Sequence, residues 1–256
     1  MAALGGRIAS LDPHRPMTAQ RTVKRTERLG EAVTPDGTRL TLYRHDGDYT
    51  IRVEGTDLMS TRRYHSEEQL AELVCKPLRG AEAPSVLIGG LGMGFTLKAA
   101  LRSLPADAHV VVAELVGEII EWNRNPEYPL AAEALADPRV QVRHDDVARV
   151  LRESPGAFDG IMLDVDNGAH ALTTGGNADL YRMKGIRQAI AALRPGGRVA
   201  YWSADDDPHF AALLWEAGMT VHIVKARAHA TSGGKHTLLV GRVPPVREGE
   251  APESGR

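Results

Sequence analysis

The sequence predicts an α/β fold, and three observations carry the prediction. A short apolar run, Val86-Leu87-Ile88, leads straight into a glycine-rich turn, Gly89-Gly90-Leu91-Gly92-Met93-Gly94, and then into a helical pattern. From there to Ala217, strand-like apolar runs keep alternating with helical periodicity. Ahead of the turn, Thr38 to Gly55 alternates apolar and polar residues on both sides of Asp46-Gly47. The expected architecture is a Rossmann-like, mostly parallel sheet with a small β-hairpin region at its amino end. The boundaries fall at a disordered tail over 1–20, the hairpin region with a linking helix over 21–80, the main domain over 81–243 and a second tail over 244–256.

Met1 to about Gln20 holds Gly5, Gly6, Pro13 and Pro16 with little apolar periodicity, as expected of a tail. Its arginines make this end basic, which suits a solvated segment better than a binding arm. In the hairpin, Leu40 and Leu42, then Tyr49, Ile51 and Val53, repeat with period two about an Asp-Gly turn. Such a hairpin either covers an active site or mediates dimerisation, and both readings stand. Ser66-Glu67-Glu68-Gln69 has the spacing of a capping box. Leu70, Leu73 and Val74 follow on one helix face, and Pro77 ends the helix. Cys75, on the apolar side, reads as a small core residue. Arg62, Arg63, Tyr64 and His65 lie just before this helix, near the expected ligand mouth. A solvated loop is the plainer reading of them; a grip on an acidic substrate group is the sharper one.

The glycine turn opens the central unit. Gly89, Gly90, Gly92 and Gly94 lack the Cβ that would keep a ligand off the backbone. Phe95 to Leu104 is a helix stopped by Pro105, and His109 to Ala113 is the next strand. Glu114 sits where that strand ends, and a carboxylate there accepts hydrogen bonds from both hydroxyls of a ribose. The turn reads G-x-G-x-G rather than G-x-G-x-x-G, and no Gly-Lys-Ser/Thr is present, which excludes a P-loop. The spacing suits a ligand of the S-adenosylmethionine type better than a pyrophosphate.

The remaining elements follow in order. Val116 to Asn123 is a helix, interrupted by Pro126 and Pro129, and Val140 to Arg143 is a third strand. Asp145 and Asp146 follow it; acids here either bond an adenine amino group or cap the next helix, Val147 to Leu151. For Asp145 the two readings weigh equally, and for Asp146 adenine is preferred. Phe158 to Asp164 is the fourth strand, and Asp164 leaves its carboxyl end, the edge that carries ligand chemistry in open α/β sheets. Asp164 is therefore the candidate catalytic or amine-binding carboxylate. Asp166 and Asn167, just beyond, form an Asx turn or contact substrate. The polar, glycine-bearing stretch to Ala178 suits a substrate-gating loop. Leu180 to Leu193 is a helix closed by Arg194-Pro195-Gly196-Gly197, and Arg198 to Trp202 is the fifth strand. Asp205, Asp206 and Asp207 suit capping of the helix Pro208 to Ala217 more than cation binding. Met219 to Arg227 and Lys235 to Arg242 are strands. His222, His229 and His236 do not have metal-site spacing. A terminal hairpin after five βα units matches the seven-stranded sheet of S-adenosylmethionine-dependent transferases, the methyltransferase-type fold.

From about Gly55 to Gly197 the chain resembles the spermidine synthases, the polyamine aminopropyltransferases. The matching pieces are VLIGGLGMGFTL, VVVAEL, DPRVQVRHDDVARVL, FDGIMLDVDN and ALRPGGRVAYWS, together with the hairpin before a helix. The resemblance implies a homodimer that binds decarboxylated S-adenosylmethionine and an amine. It implies that Glu114 holds the ribose, Asp146 the adenine, and that Asp164 activates the amine. The departures are specific. The family's turn carries an aspartate, G-G-G-D-G-G, which helps bind the aminopropyl amine; Leu91 and Met93 interrupt the glycines here. The family's Asp-Ser-Ser/Thr-Asp reads Asp164-Val165-Asp166-Asn167. Its Tyr-His pair is replaced near Glu67-Glu68, and Leu58 stands near the place of a glutamine. The nucleoside half of the site is kept and the diamine half is not. The expected function is a spermidine synthase-like transferase moving an alkyl (aminopropyl) group from S-adenosylmethionine or its decarboxylated form to an amine acceptor other than simple putrescine. Methyl transfer to a small molecule, and nucleoside binding without catalysis, are the alternatives.

Bulk properties bound the rest. The 256 residues are 43% hydrophobic and 25% charged with net charge -2, ordinary for a globular protein and not the basic balance of a nucleic-acid binder. One cysteine excludes an intramolecular disulfide and a cysteine-cluster metal site. No apolar run approaches bilayer length and no signal pattern opens the chain, so a cytoplasmic protein needing no metal is expected.

Overall fold

The computed structural model describes residues 25–165, 177–229 and 234–245. Asp166, Asn167, the rest of the expected gating loop to residue 176, and most of both expected tails lie outside the described residues.

Two sheets organise the chain. The larger has seven strands: β5 (Ser85–Gly89), β6 (His109–Glu114), β7 (Val140–His144), β8 (Phe158–Leu163), β9 (Leu193–Ser203), β10 (Thr220–Arg227) and β11 (Lys235–Arg242). Their spatial order is β10-β11-β9-β8-β5-β6-β7. β5 to β9 pair in parallel, while β11 runs antiparallel to both β9 and β10. This is the methyltransferase-type sheet with its terminal hairpin. β5 sits between β6 and β8, so the chain leaves it in opposite directions across the sheet. Crevices open at such a switch point, at the carboxyl ends of the strands.

The central strand forms because it is apolar on both faces. Val86, Leu87 and Ile88 are fully buried, each contributing roughly 1.5–3 kcal/mol of apolar burial. Helices α1 (His65–Cys75), α2 (Phe95–Ser103), α3 (Gly117–Arg124), α4 (Ala132–Leu135), α5 (Val147–Glu153), α6 (Met183–Ala192) and α7 (Pro208–Glu216) complete the fold. Cys75 is buried in the core, and burial pushes its thiol up to about 12.

The amino-terminal region is larger than a hairpin. β1 (Thr26–Val33), β2 (Arg39–His45), β3 (Asp48–Val53) and β4 (Thr56–Ser60) make a four-stranded antiparallel sheet in sequence order. β2 and β3 are the expected pair. β1 and β4 are mostly exposed or half-buried, so they carry little of the alternation that marks a half-buried strand. Gly30 of β1 packs on Trp122 of α3; a Cβ there would lie 2.5 Å from the indole nitrogen. That contact seats the small sheet beside the large one.

Two local expectations are corrected. Ser66 is no cap: α1 begins at His65, Tyr64 is its N-cap without a side-chain bond, and Ser66 is buried inside the first turn. The Ser66 hydroxyl oxygen instead accepts from the Trp202 indole N–H at 3.1 Å and pairs with His236 Nδ1 at 2.9 Å. The helix expected from Leu180 starts at Met183, after a short 3-10 turn over Asn177–Tyr181. β9 already begins at Leu193, because Leu193 pairs with Phe158 of β8 before a register shift.

Candidate active site at the carboxyl edge of the sheet

Four strand ends converge. The Gly90 N–H donates to the Ala113 carbonyl and the Asp164 N–H to the Gly89 carbonyl, both at 2.9 Å. The Asp145 N–H donates to the Glu114 carbonyl at 3.0 Å. These bonds bring the turn, Glu114, Asp164 and the Asp145-Asp146 pair around one cavity.

Glu114 is buried at the end of β6. Its Oε2 accepts from the Leu91 N–H at 2.9 Å and its Oε1 from the Val116 N–H at 2.8 Å. Burial raises its pKa, and the surrounding backbone N–H groups pull the other way. The carboxylate thus ties the glycine turn to the strand and still lines the cavity. Each bonded oxygen keeps a lone pair for a ribose hydroxyl.

The four glycines divide. Gly90 and Gly92 line the cavity; Gly89 and Gly94 do not. Gly90 has φ +88, and a Cβ on it would lie 2.4 Å from the Asp164 carbonyl oxygen. Gly94, at φ +73, has room for no Cβ beside Ala131, 2.3 Å away, and Gly89 meets Val147 at 2.7 Å. Asn123 of α3, fully buried, donates to the Gly92 carbonyl at 2.8 Å and holds the turn from behind.

Asp146 is the N-cap of α5: its Oδ1 accepts from the Ala148 N–H at 2.8 Å. Its side chain also faces the cavity, with Oδ2 unbonded among the described residues. Asp145 is not a cap. Its carboxylate pairs with Arg143 at 2.8 Å and accepts from the Asp146 N–H at 2.9 Å, and Arg143 holds its pKa below the usual carboxylate range.

Asp164 is partly buried just past β8. Its Oδ2 accepts from the Thr96 hydroxyl at 2.6 Å. Burial pushes the carboxyl up to about 6, against the Thr96 bond, which lowers it. Asp164 borders two cavities. The first holds Glu114, Asp146, the two glycines and an apolar wall from Leu40, Val116 and Val147. The second is lined by Arg63, Ser66, Glu67, Trp202 and His236. Met59 of β4 lines both, so the small sheet roofs the junction. Sequence reasoning missed Thr96, Asn123 and Met59. Thr96, two residues past the turn, was the one with a local signal, since the first turn of that helix faces the strand ends. Among the described residues, no group of three or more His, Cys, Asp or Glu side chains is placed to hold a metal ion.

The arrangement suits a nucleoside beside a second small molecule, with one carboxylate at the boundary. Fold and site together define a methyltransferase-type α/β fold with a cavity at the carboxyl edge of its sheet. No family model matches the chain. A polyamine aminopropyltransferase of Leptospira biflexa is 27% identical over 149 residues, 58% of this chain and 50% of that protein. Polyamine aminopropyltransferase 2 of Pseudomonas aeruginosa is 32% identical over 154 residues, 57% of this chain and 43% of that protein. The chain thus spans about half the length of the curated relatives it matches. Among solved structures, the spermidine synthase of Thermotoga maritima superposes with TM-score 0.63 at 17% identity, covering 84% of this chain and 72% of that one. A spermidine synthase in complex with the transition-state analogue AdoDATO gives TM-score 0.63 at 16% identity, with the same coverage. Over about half its length the chain is similar in sequence to polyamine aminopropyltransferases, and in fold it is similar to spermidine synthases.

Proposed function

We propose that this chain is a transferase that moves an aminopropyl-type group from a sulfonium nucleoside, of the decarboxylated S-adenosylmethionine class, to a small amine. The observation that carries the reading is the position of Asp164 on the boundary between the two cavities. In this reading Glu114 takes the ribose hydroxyls, Asp146 Oδ2 the adenine amino group, and Gly90 and Gly92 leave room for the chain at the sulfur. The acceptor nitrogen attacks the methylene beside the sulfonium. A C–N bond forms, the C–S electron pair goes to sulfur, and methylthioadenosine leaves. Asp164 accepts the proton that the nitrogen sheds. Its raised pKa suits that work, because a base titrating near 6 is ionised at neutral pH yet binds a proton readily. Positioning the two reactants in line supplies most of the rest.

The curated relatives named polyamine aminopropyltransferases support the group transferred. A cytoplasmic homodimer using Asp166 and Asn167 at the acceptor belongs to the same reading, and rests on the family likeness. Asp164→Asn tests it: turnover falls roughly 10²–10⁴-fold while nucleoside affinity stays within a few-fold. Unchanged turnover removes Asp164 from the chemistry.

A further inference from the structure

The second cavity has a charge pattern that the transfer reaction does not require. Its lining includes Asp164 and Glu67, which suit a cationic amine. It also includes Arg63, which is exposed. The neighbouring Arg62 is committed to Asp48 across the small sheet. Arg63 has no ion pair and no side-chain hydrogen bond among the described residues. The backbone around it is pinned: the Arg63 N–H donates to the Ser60 carbonyl at 3.1 Å and the His65 N–H to the Ala228 carbonyl at 3.2 Å. The Tyr64 ring stacks on Phe95 of α2, with centroids 4.7 Å apart. Arg63 also acts on the cavity wall at a distance, since it adds to the burial that lowers the pKa of His236. The permanent positive charge in the lining of this cavity is therefore Arg63.

A diamine entering this cavity would bring its second ammonium against that guanidinium, and like charges in one site repel. A guanidinium instead matches a carboxylate, which it grips through two parallel N–H bonds. We propose that Arg63 binds a carboxylate in the second cavity, so that the site takes an amino acid-like zwitterion with its amine at Asp164 and Glu67. The inference rests on the transferase reading and names its substrate class. The carboxylate has two possible carriers. It belongs to the acceptor, or to the donor's own chain; in the second case the donor is S-adenosylmethionine itself in place of its decarboxylated form, and an aminocarboxypropyl group is passed on with the same methylthioadenosine released.

The test uses two matched pairs on the full chain and on Arg63→Gln and Arg63→Lys. The donor pair is S-adenosylmethionine against its decarboxylated form, read as Kd by calorimetry. The acceptor pair is 4-aminobutanoate against 1,4-diaminobutane, read as methylthioadenosine release. The wild-type protein prefers the carboxylate-bearing member of one pair. Arg63→Gln erases that preference, a loss of roughly tenfold to a hundredfold for one charge-assisted contact. Arg63→Lys keeps part of it. The pair that shows the effect identifies the carrier. Preference for the carboxylate-free member of both pairs, or a preference that survives Arg63→Gln, overturns the proposal while leaving the transferase reading intact. Failure of both nucleosides to bind overturns both.

Discussion

Burial of Asp164 works against the fold once its carboxyl ionises. Its pKa rises from the ordinary 3.8 to about 6, so the folded state favours the protonated form. The stabilising contribution is fully present below about 3.8 and is lost as pH rises through about 6. Activity runs the other way, rising through pH 6 as the carboxylate ionises. Asp164→Asn should therefore be inactive yet more stable than the parent at pH 8, by at most about 3 kcal/mol. At pH 4 the difference should vanish. Thermal unfolding at both pH values checks this, and equal destabilisation at both would contradict it. Burial raises the pKa of Glu114 as well, but its carboxylate also satisfies two backbone N–H groups. Glu114→Ala orphans both and should cost about 2–5 kcal/mol in urea unfolding, beyond any loss of nucleoside binding. Both acids were legible in the sequence, since each stands at the end of an apolar strand run. Thr96 and Met59 were not singled out, because their meeting with Asp164 is made by tertiary packing of α2 and β4.

At the scale of elements, the glycine turn does two jobs. Gly94→Ala forces both a left-handed backbone and a clash with Ala131, and should destabilise by about 2–5 kcal/mol. Gly37→Ala has the same backbone demand, at φ +90, with nothing within 4 Å, and should cost only about 1–2 kcal/mol. Chemical denaturation of the two variants separates packing from backbone strain; equal losses would mean that Ala131 yields freely. The turn was legible as a glycine-rich strand-to-helix connection; Gly90 and Gly92 line the cavity, while Gly89 and Gly94 answer to packing. The β2–β3 hairpin was legible from period two and Asp-Gly. The start of α1 was misread, because Ser66 has the spacing of a cap but is drawn inward by Trp202 and His236, residues far away in the sequence.

Across the whole molecule, the small sheet closes a crevice that the large sheet creates. Leu40 and Met59 of its strands, with Thr34 from the turn between β1 and β2, line the first cavity. A ligand bound between two sheets should hold them together. Saturating nucleoside at about 100 times Kd should stabilise the protein by about 2.7 kcal/mol, read as a rise in Tm. No described helix is long and apolar enough to cross a membrane. The seven-stranded sheet was legible because its central strands β5, β6 and β8 are mostly buried apolar runs and its parallel connections are helical. The second cavity was less so, because its lining comes from α1, β4, β9 and β11 together.

The central claim is transfer from a sulfonium nucleoside to an amine, and the nucleoside product tests it most directly. Purified protein is offered S-adenosylmethionine or its decarboxylated form with a panel of amines, including amino acids, and the products are read by mass spectrometry. The account predicts methylthioadenosine that appears only when an acceptor amine is present and is lost in Asp164→Asn. S-adenosylhomocysteine as the product, or no nucleoside product despite tight binding, would contradict it.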